Sequence, residues 1–435
     1  MFSHFRKLAS TISKSSIPTR HFGSSSNPKE YVVSHRERMN VFADNAVGML
    51  SRILSTFHYN QVTCTNVATK LLSLKRDGNQ RALFTIDFEG TEQDPRLQKI
   101  LKELNLYAEA SIDHEVPEVP WFPTKTADLD LMGDLLMNNQ MEDIGKDHPG
   151  FKDQMYRQRR DEIAKNTSGY KMGNEIPRMT YTNQENQTWE AIFSKLRPLQ
   201  EKHMCESFNK AFDKMAKAGI LRPDKVPQLQ DLNDFLQKET NFRLKPVTGI
   251  LSQREFLNSL ALRTFCCTQY LRHHSVPEYT PEPDIIHEVI GHVAMFADPD
   301  FCDLSQEIGL LSLGNTPENL KKLGDLYWYT VEFGVCKEGN SVKGYGAGIA
   351  SSINEIEHFA SGKAEFRPLN PFVELDQNYP IQTVQPKYYV AESFKDAGDM
   401  LIRYGELLPK PFKAYYNYNT SSVEVDRKVK LVDIQ

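Results

Sequence analysis

The chain has 435 residues, 40% of them hydrophobic and 25% charged, with a formal net charge of −5. That length can bury two sizeable cores, and the acidic balance gives no basis for binding nucleic acid. No apolar run approaches the roughly 18 residues that would suggest a membrane span. The six cysteines, at 64, 205, 266, 267, 302 and 336, form no CxxC pair and read as buried thiols of a reducing compartment rather than a disulfide framework.

Residues 1–30 differ from the rest. Arg6, Lys7, Lys14, Arg20 and Lys29 are basic, serine is abundant, and Glu30 is the first acidic residue. Phe2, Phe5, Leu8 and Ile12 offer an apolar stripe, so the segment reads as a mitochondrial presequence; a disordered tail on a cytoplasmic protein is the alternative. From 31 to 115 the periodicity alternates. Arg38–Phe42 reads as a strand, Ala46–Phe57 as a helix and Gln61–Leu74 as a strand. The spacing of Ala82, Phe84, Ile86 and Phe88 predicts a strand with one buried face over Arg81–Phe88. Asp94–Leu104 reads as helix and Leu106–Ile112 as a last strand. The order βαββαβ is that of a small ferredoxin-like α+β domain, and it carries no catalytic cluster.

Val116–Pro123 is a proline-rich link and the expected boundary. Residues 117–411 read as one mostly α domain, with helical spacing over 128–141, 154–165, 185–218, 228–239 and 253–272. Prolines 281 and 283 then favour an extended approach to a helix starting near Asp284, a good N-cap candidate. His287 and His292 follow with Glu288 between them. Five residues separate the histidines, roughly 140° apart on an ideal α-helix, so both reach one ion only if the helix is locally widened or the ion sits near its end. Gly291 would ease such a distortion. Packed or solvated histidines remain the alternative, and Glu288 could be a ligand, a supporting group or a base. Glu332 is embedded in the apolar run Leu326–Val335; it needs a cation there, unless it lies on a wet face. Gly344, Gly346 and Gly348 form a glycine-rich bend lacking phosphate-loop spacing, suited to close backbone approach. Residues 412–435 read as a hairpin arm and a short charged tail.

Several strings now resemble the pterin-dependent aromatic amino acid hydroxylases: His148-Pro-Gly-Phe-Lys-Asp, Phe265-Cys-Cys-Thr-Gln-Tyr-Leu-Arg272-His, Tyr279-Thr-Pro-Glu-Pro-Asp-Ile-Ile-His287-Glu-Val-Ile-Gly-His292, Tyr327-Trp-Tyr-Thr-Val-Glu332-Phe-Gly, Tyr345-Gly-Ala-Gly-Ile-Ala-Ser-Ser and Tyr388-Tyr-Val-Ala-Glu-Ser-Phe. They run in family order from about 148 to 425. The resemblance implies that 117–411 is the family's catalytic domain and, more loosely, that 31–115 is its ACT-type regulatory module. It implies that His287, His292 and Glu332 hold one iron(II), a two-histidine, one-carboxylate set that leaves a face open for dioxygen.

It further implies tetrahydrobiopterin, or a related tetrahydropterin, between the iron and Phe256. Val247, Gly249 and Leu251 would line that site, Glu288 would face the pterin, and Tyr327 would lie near the iron. An aromatic amino acid substrate would place its carboxylate on Arg272, assisted by Tyr279, Thr280 and Ser351, with His287, Pro283, Trp328 and Gly348 walling its ring. Trp328 and Ile381 favour phenylalanine, converted to tyrosine, over tyrosine or tryptophan as main substrate. Cys266 and Gln253 depart from the family's usual residues near the pterin turn. Asn66–Lys70 departs from its regulatory amino acid site. The chain stops where the family usually adds a tetramerisation helix, so a homodimer through the hairpin is expected. A zinc hydrolase built on His287 and Glu288, or a non-catalytic amino acid sensor, would be the competing classes.

Overall fold

Strict alternation builds the first sheet. Met39, Val41 and Ala43 on one strand, and Ala82, Phe84, Ile86 and Phe88 on another, are at most 3% exposed. Because side chains alternate across a strand, each presents one apolar face. The computed structural model describes residues 36–432 apart from 75–79, 92, 114–115, 133–147, 250, 279, 281, 374, 376–377, 381–382, 406 and 427–428. The targeting segment expected at 1–30 lies outside the described residues, as does most of the helix expected at 128–141, of which Thr126–Leu131 forms a 3-10 helix.

The chain divides into two units, one comprising Phe122–Pro409 and Tyr418–Val423, the other reaching up to Trp121 and including Lys410–Asn417 and the residues from Glu424 onward. In the smaller unit, strands β1 (Arg36–Asp44), β2 (Cys64–Leu74), β3 (Gln80–Glu89) and β4 (Glu109–Ile112) pair antiparallel in the order β2-β3-β1-β4. Helices Met49–Tyr59 and Pro95–Leu104 bury Ile53, Phe57, Leu97, Ile100 and Leu104 in this unit's core. Asp94 caps the second helix by accepting the Arg96 N–H at 2.9 Å. This is the split βαβ topology that the alternating periods indicate.

The proline-rich link Val116–Pro123 also carries a short strand. Glu118–Pro120 pairs parallel with Lys430–Val432, so part of the expected tail forms a strand, and the boundary falls at Trp121. Backbone bonds from Trp121 N to Val432 O at 2.9 Å and from Lys430 N to Pro117 O at 2.9 Å satisfy groups that the prolines cannot pair locally. Ala414–Asn417 and Ser422–Val425 form the expected two-stranded hairpin.

The larger unit is mostly helical. Nine α-helices of eight or more residues among the described residues run from Gln154–Thr167 to Phe394–Gly405, around one buried core. Two readings need correction. The helix expected over 185–218 is two helices, Asn183–His203 and Glu206–Lys217, because Cys205 turns out of the helix and caps the second, its thiol accepting the Phe208 N–H at 3.4 Å. The helix expected over 253–272 stops at Ala261. Arg263 takes the left-handed conformation (φ 49°), and Thr264–Cys267 becomes a strand parallel to Arg243–Pro246. All four residues of that strand are buried; a strand covered on both faces loses its alternation and cannot be told from helix by apolar spacing. No helix among the described residues is long and apolar enough to cross a membrane.

Candidate metal centre

Asp284 begins the decisive element. Its carboxylate accepts the His287 N–H at 3.1 Å, as an N-cap should, and after Ile285 and Ile286 the backbone widens into a π-helical turn over His287–Val293. The bond from Ala294 N to Val289 O, at 3.1 Å, closes the five-residue step. A five-residue repeat brings positions 287 and 292 onto one side, which an α-helix would not do. Glu332 sits on a second π-helical turn, Trp328–Glu332, closed by Phe333 N to Trp328 O at 2.8 Å. All three candidate ligands therefore project from widened turns. Glycine makes the packing of these turns possible: a Cβ on Gly291 would lie 2.8 Å from the Ala347 carbonyl oxygen, and one on Gly346 would lie 2.4 Å from that of Glu332.

The side chains converge. His287 Nε2 and His292 Nε2 are 3.2 Å apart, and they lie 3.5 and 3.2 Å from the two carboxylate oxygens of Glu332. Three ligands about 2.1 Å from one ion in adjacent octahedral positions would be about 3 Å apart, so the donor set fits a single divalent transition metal. His292 is fully buried and Glu332 is 2% exposed. Burial pushes the His287 imidazolium down to about 4, against the pull of Glu332. Burial also pushes Glu332 up, but His292 and His287 together outweigh it and hold the carboxyl below its usual range. The result is a neutral His287 imidazole facing an ionised carboxylate. Ser351 fixes the tautomer: its hydroxyl donates to the Ala347 carbonyl at 2.7 Å, so its oxygen accepts from His287 Nδ1 at 2.9 Å and leaves the Nε2 lone pair facing the centre.

Around the triad, Phe256 is half-buried and meets Tyr327 at 5.1 Å and Phe265 at 5.8 Å, both edge to face. Neither ring lies parallel to it, which suits a flat heterocycle. The Tyr327 hydroxyl is buried without a hydrogen-bond partner among the described residues. Glu288, 4% exposed, accepts the N–H and hydroxyl of Thr268 at 3.2 and 3.1 Å on one oxygen. Burial raises its pKa to about 8, with the Thr268 bonds pulling the other way. The turn carrying Val247, half-buried, and Gly249 and Leu251, buried, follows the strand Arg243–Pro246, with Val247 N bonded to Cys267 O at 3.0 Å.

Arg272 is not an ordinary surface cation. It is 5% exposed, and its Nε and Nη2 bind the fully buried Asp284 at 2.9 and 2.8 Å. Nη1 donates to Pro277 O at 3.2 Å. One N–H on each terminal nitrogen is left for a second carboxylate. The Pro283 carbonyl accepts the Thr268 hydroxyl at 3.3 Å, and Thr280 donates to Glu282 O at 2.7 Å. Tyr279 and Ile381 lie outside the described residues. Trp328 is 3% exposed, 4.6 Å from Phe333, and Gly348 lies against Phe333, where a Cβ would come within 2.5 Å.

Three contributors were not singled out by sequence reasoning. Thr268 fixes Glu288, Asp284 anchors Arg272 beyond its capping role, and Gln385 accepts the Trp328 indole N–H at 3.1 Å. For Asp284 the N-cap position was the available signal. Thr268 and Gln385 are ordinary polar residues in sequence, and only the fold brings them in.

A mostly helical unit that brings two histidines and one glutamate to one point defines a mononuclear metal enzyme of the facial-triad class. Residues 120–434 match the family described as biopterin-dependent aromatic amino acid hydroxylase, and the chain belongs to that family. It is 46% identical over 357 residues to the phenylalanine-4-hydroxylase of Dictyostelium discoideum, covering 81% of each chain. It is 43% identical over 384 residues to that of Rattus norvegicus, covering 87% of this chain and 84% of the relative. Among solved structures, a Chromobacterium violaceum phenylalanine hydroxylase with bound iron(III) and 7,8-dihydrobiopterin is 29% identical. The match has a TM-score of 0.49 and covers 52% of this chain and 82% of that one.

Proposed function

We infer that the chain is a tetrahydropterin- and dioxygen-dependent, non-haem iron monooxygenase that hydroxylates L-phenylalanine to L-tyrosine. The observation that carries the reading is the convergence of His287, His292 and Glu332 within the region that defines the family. Relatives at 43 to 46% identity that bear the phenylalanine-4-hydroxylase name support the substrate.

Iron held by the triad and a reduced pterin would together activate dioxygen and supply the electrons. The chain's own residues bind and orient. Arg272, braced by Asp284, offers its forked edge to the amino acid carboxylate. Thr280, Ser351 and Pro283 would assist it, while Trp328 and Gly348 would wall the ring. Phe256 offers a face to the pterin, the 247–251 turn its backbone, and Glu288 a carboxyl whose high affinity for protons suits hydrogen bonding to a polar heterocycle edge. Burial of the ligands keeps bulk water from the reacting centre.

The test is anaerobic loading with iron(II), then tetrahydropterin and oxygen with phenylalanine, tyrosine or tryptophan. Tyrosine formed from phenylalanine at the highest kcat/KM is expected. Faster turnover of tyrosine or tryptophan would move the assignment within the family, and turnover without reductant would overturn it.

We also propose that the smaller unit is an ACT-type regulatory domain, a reading supported by its split βαβ sheet; preincubation with phenylalanine should then change the enzyme's initial rate. Domain roles follow: 31–115 regulatory, 117–411 catalytic, 412–435 a hairpin arm that pairs subunits into a homodimer, which sedimentation would test. The basic, acid-free composition of residues 1–30 supports mitochondrial targeting, with a cytoplasmic location as the alternative. A reporter fused to that segment would decide.

A further inference from the structure

Gln385 is 1% exposed, and all four of its hydrogen-bonding groups are used. Its N–H donates to Glu355 Oε1 at 3.1 Å, and its carbonyl accepts from His358 Nε2 at 3.1 Å. Its side-chain Nε2 donates to the Pro380 carbonyl at 2.7 Å, and its Oε1 accepts the indole N–H of Trp328 at 3.1 Å. Glu355, which fixes the backbone here, is itself held by the Tyr388 hydroxyl at 2.5 Å. A side chain committed at both ends has one rotamer, and so does whatever hangs from it.

What hangs from it is Trp328, on the π-helical turn that ends in Glu332. The indole stacks on Tyr379 at 4.5 Å and 17° and touches Phe333 at 4.6 Å. Tyr379 is tied by its hydroxyl to Asp325 Oδ1 at 2.9 Å, one turn before Trp328. An indole has a single N–H donor, so the bond to Gln385 sets the direction of the ring's edge while Tyr379 sets its plane.

We propose that Gln385 is a positioning residue for substrate choice: by locking the tilt of Trp328 it fixes the width of the aromatic pocket and so discriminates a single ring from a bicyclic one. This rests on the monooxygenase reading above. The amide bonds to Trp328 and Pro380 and to none of the three iron ligands, so it acts on pocket shape and leaves metal binding alone. The role falls to an amide because the position demands an acceptor for Trp328 and a donor for the Pro380 carbonyl at once. A carboxylate would lack the donor, and an aliphatic chain would lack both.

The experiment is a double-mutant cycle of Gln385→Met and Trp328→Phe in the full-length, iron-loaded enzyme. It reads kcat/KM for phenylalanine and tryptophan, iron stoichiometry and intrinsic fluorescence; Trp328 is one of three tryptophans. Gln385→Met should lower the preference for phenylalanine over tryptophan about 10-fold, the size expected when a pocket wall misfits by about one methylene. The change should come mainly through KM, with iron stoichiometry unchanged and the Trp328-dependent emission altered. Trp328→Phe should shift the preference in the same direction, and the double variant should do no more than the larger single effect. An unchanged preference in a folded Gln385→Met enzyme, or additive losses in the double variant, would overturn the proposal. If Gln385→Met does not fold, Gln385→Asn, whose shorter amide cannot span Trp328 and Pro380, carries the same comparison. Failure of the parent reading would look different: the unaltered enzyme would hydroxylate neither amino acid.

Discussion

Arg272 and Asp284 are locked together by three bonds, two from the guanidinium at 2.9 and 2.8 Å and one from the Arg272 backbone N–H at 2.8 Å, and the same carboxylate accepts the backbone N–H of His287 at 3.1 Å. The group proposed to seize the substrate's carboxylate is thus fixed to the start of the turn that carries the first iron ligand. Burial pushes the Asp284 pKa up, but the charge and hydrogen bonds of Arg272 hold it below the usual range. Asp284→Asn leaves a buried guanidinium without its counter-charge. It should destabilise the fold by about 3–5 kcal/mol and raise KM for phenylalanine, measured by chemical denaturation and steady-state kinetics.

The Ser351 hydroxyl accepts from the non-ligating nitrogen of His287. Ser351→Ala frees that ring to turn and to change tautomer. Affinity for iron(II) should fall about 10- to 100-fold, read by competition with a chelator. Unchanged affinity would remove Ser351 from the metal site.

Glu288 lies beside the ligands in sequence but bonds to Thr268, away from them. Glu288→Ala should raise KM for the tetrahydropterin about 10- to 100-fold, as expected for losing a hydrogen bond to a charged or strongly polar group, while iron content stays near the unaltered level. An iron-free Glu288→Ala protein would contradict that division of labour.

Glu355 gives a pH signature. Burial raises its pKa from 4.5 to about 7, with the Tyr388 hydroxyl and the Gln385 N–H pulling the other way. Between those two values the folded chain holds a proton that the unfolded chain has lost. The group's contribution to stability is therefore greatest below about 4.5, declines as pH rises to about 7 and is flat above, by about 1.4 kcal/mol per unit within the window. Glu355→Gln keeps an acceptor and removes the titration. Its stability relative to the unaltered protein should improve from pH 5 to pH 8 in thermal melts; a pH-independent difference would show that Glu355 titrates normally.

Gly291 faces Ala347, whose carbonyl oxygen and Cβ would lie 2.8 and 2.9 Å from an added Cβ. Gly291→Ala should cost about 1–3 kcal/mol through overpacking and weaken iron binding with it, because the Ala347–Ala350 helix leads into Ser351. Denaturant midpoints and iron stoichiometry should fall together.

Much of this was legible in one dimension. Alternation at 82–88 and helical spacing at 94–104 wrote the smaller unit's sheet and helix, because each element had one wet face. The five-residue gap between His287 and His292 left a widened turn as one of two ways for both to reach one ion, and Glu332 in an apolar run called for a cation unless it faced water. Other features were not legible. The strand at 264–267 is covered on both faces and so shows no period, and the pairing of Glu118–Pro120 with Lys430–Val432 joins segments about 300 positions apart.

What the sequence alone determined was local: which residues turn, which face inward, and which chemistry the two imidazoles and one carboxylate could support. What only the tertiary structure decided was partnership, since Asp284 on Arg272, Thr268 on Glu288 and Gln385 on Trp328 are choices made among ordinary polar side chains. Their bonds are formed after the backbone has brought distant segments within about 3 Å, and no pattern along the chain encodes that distance.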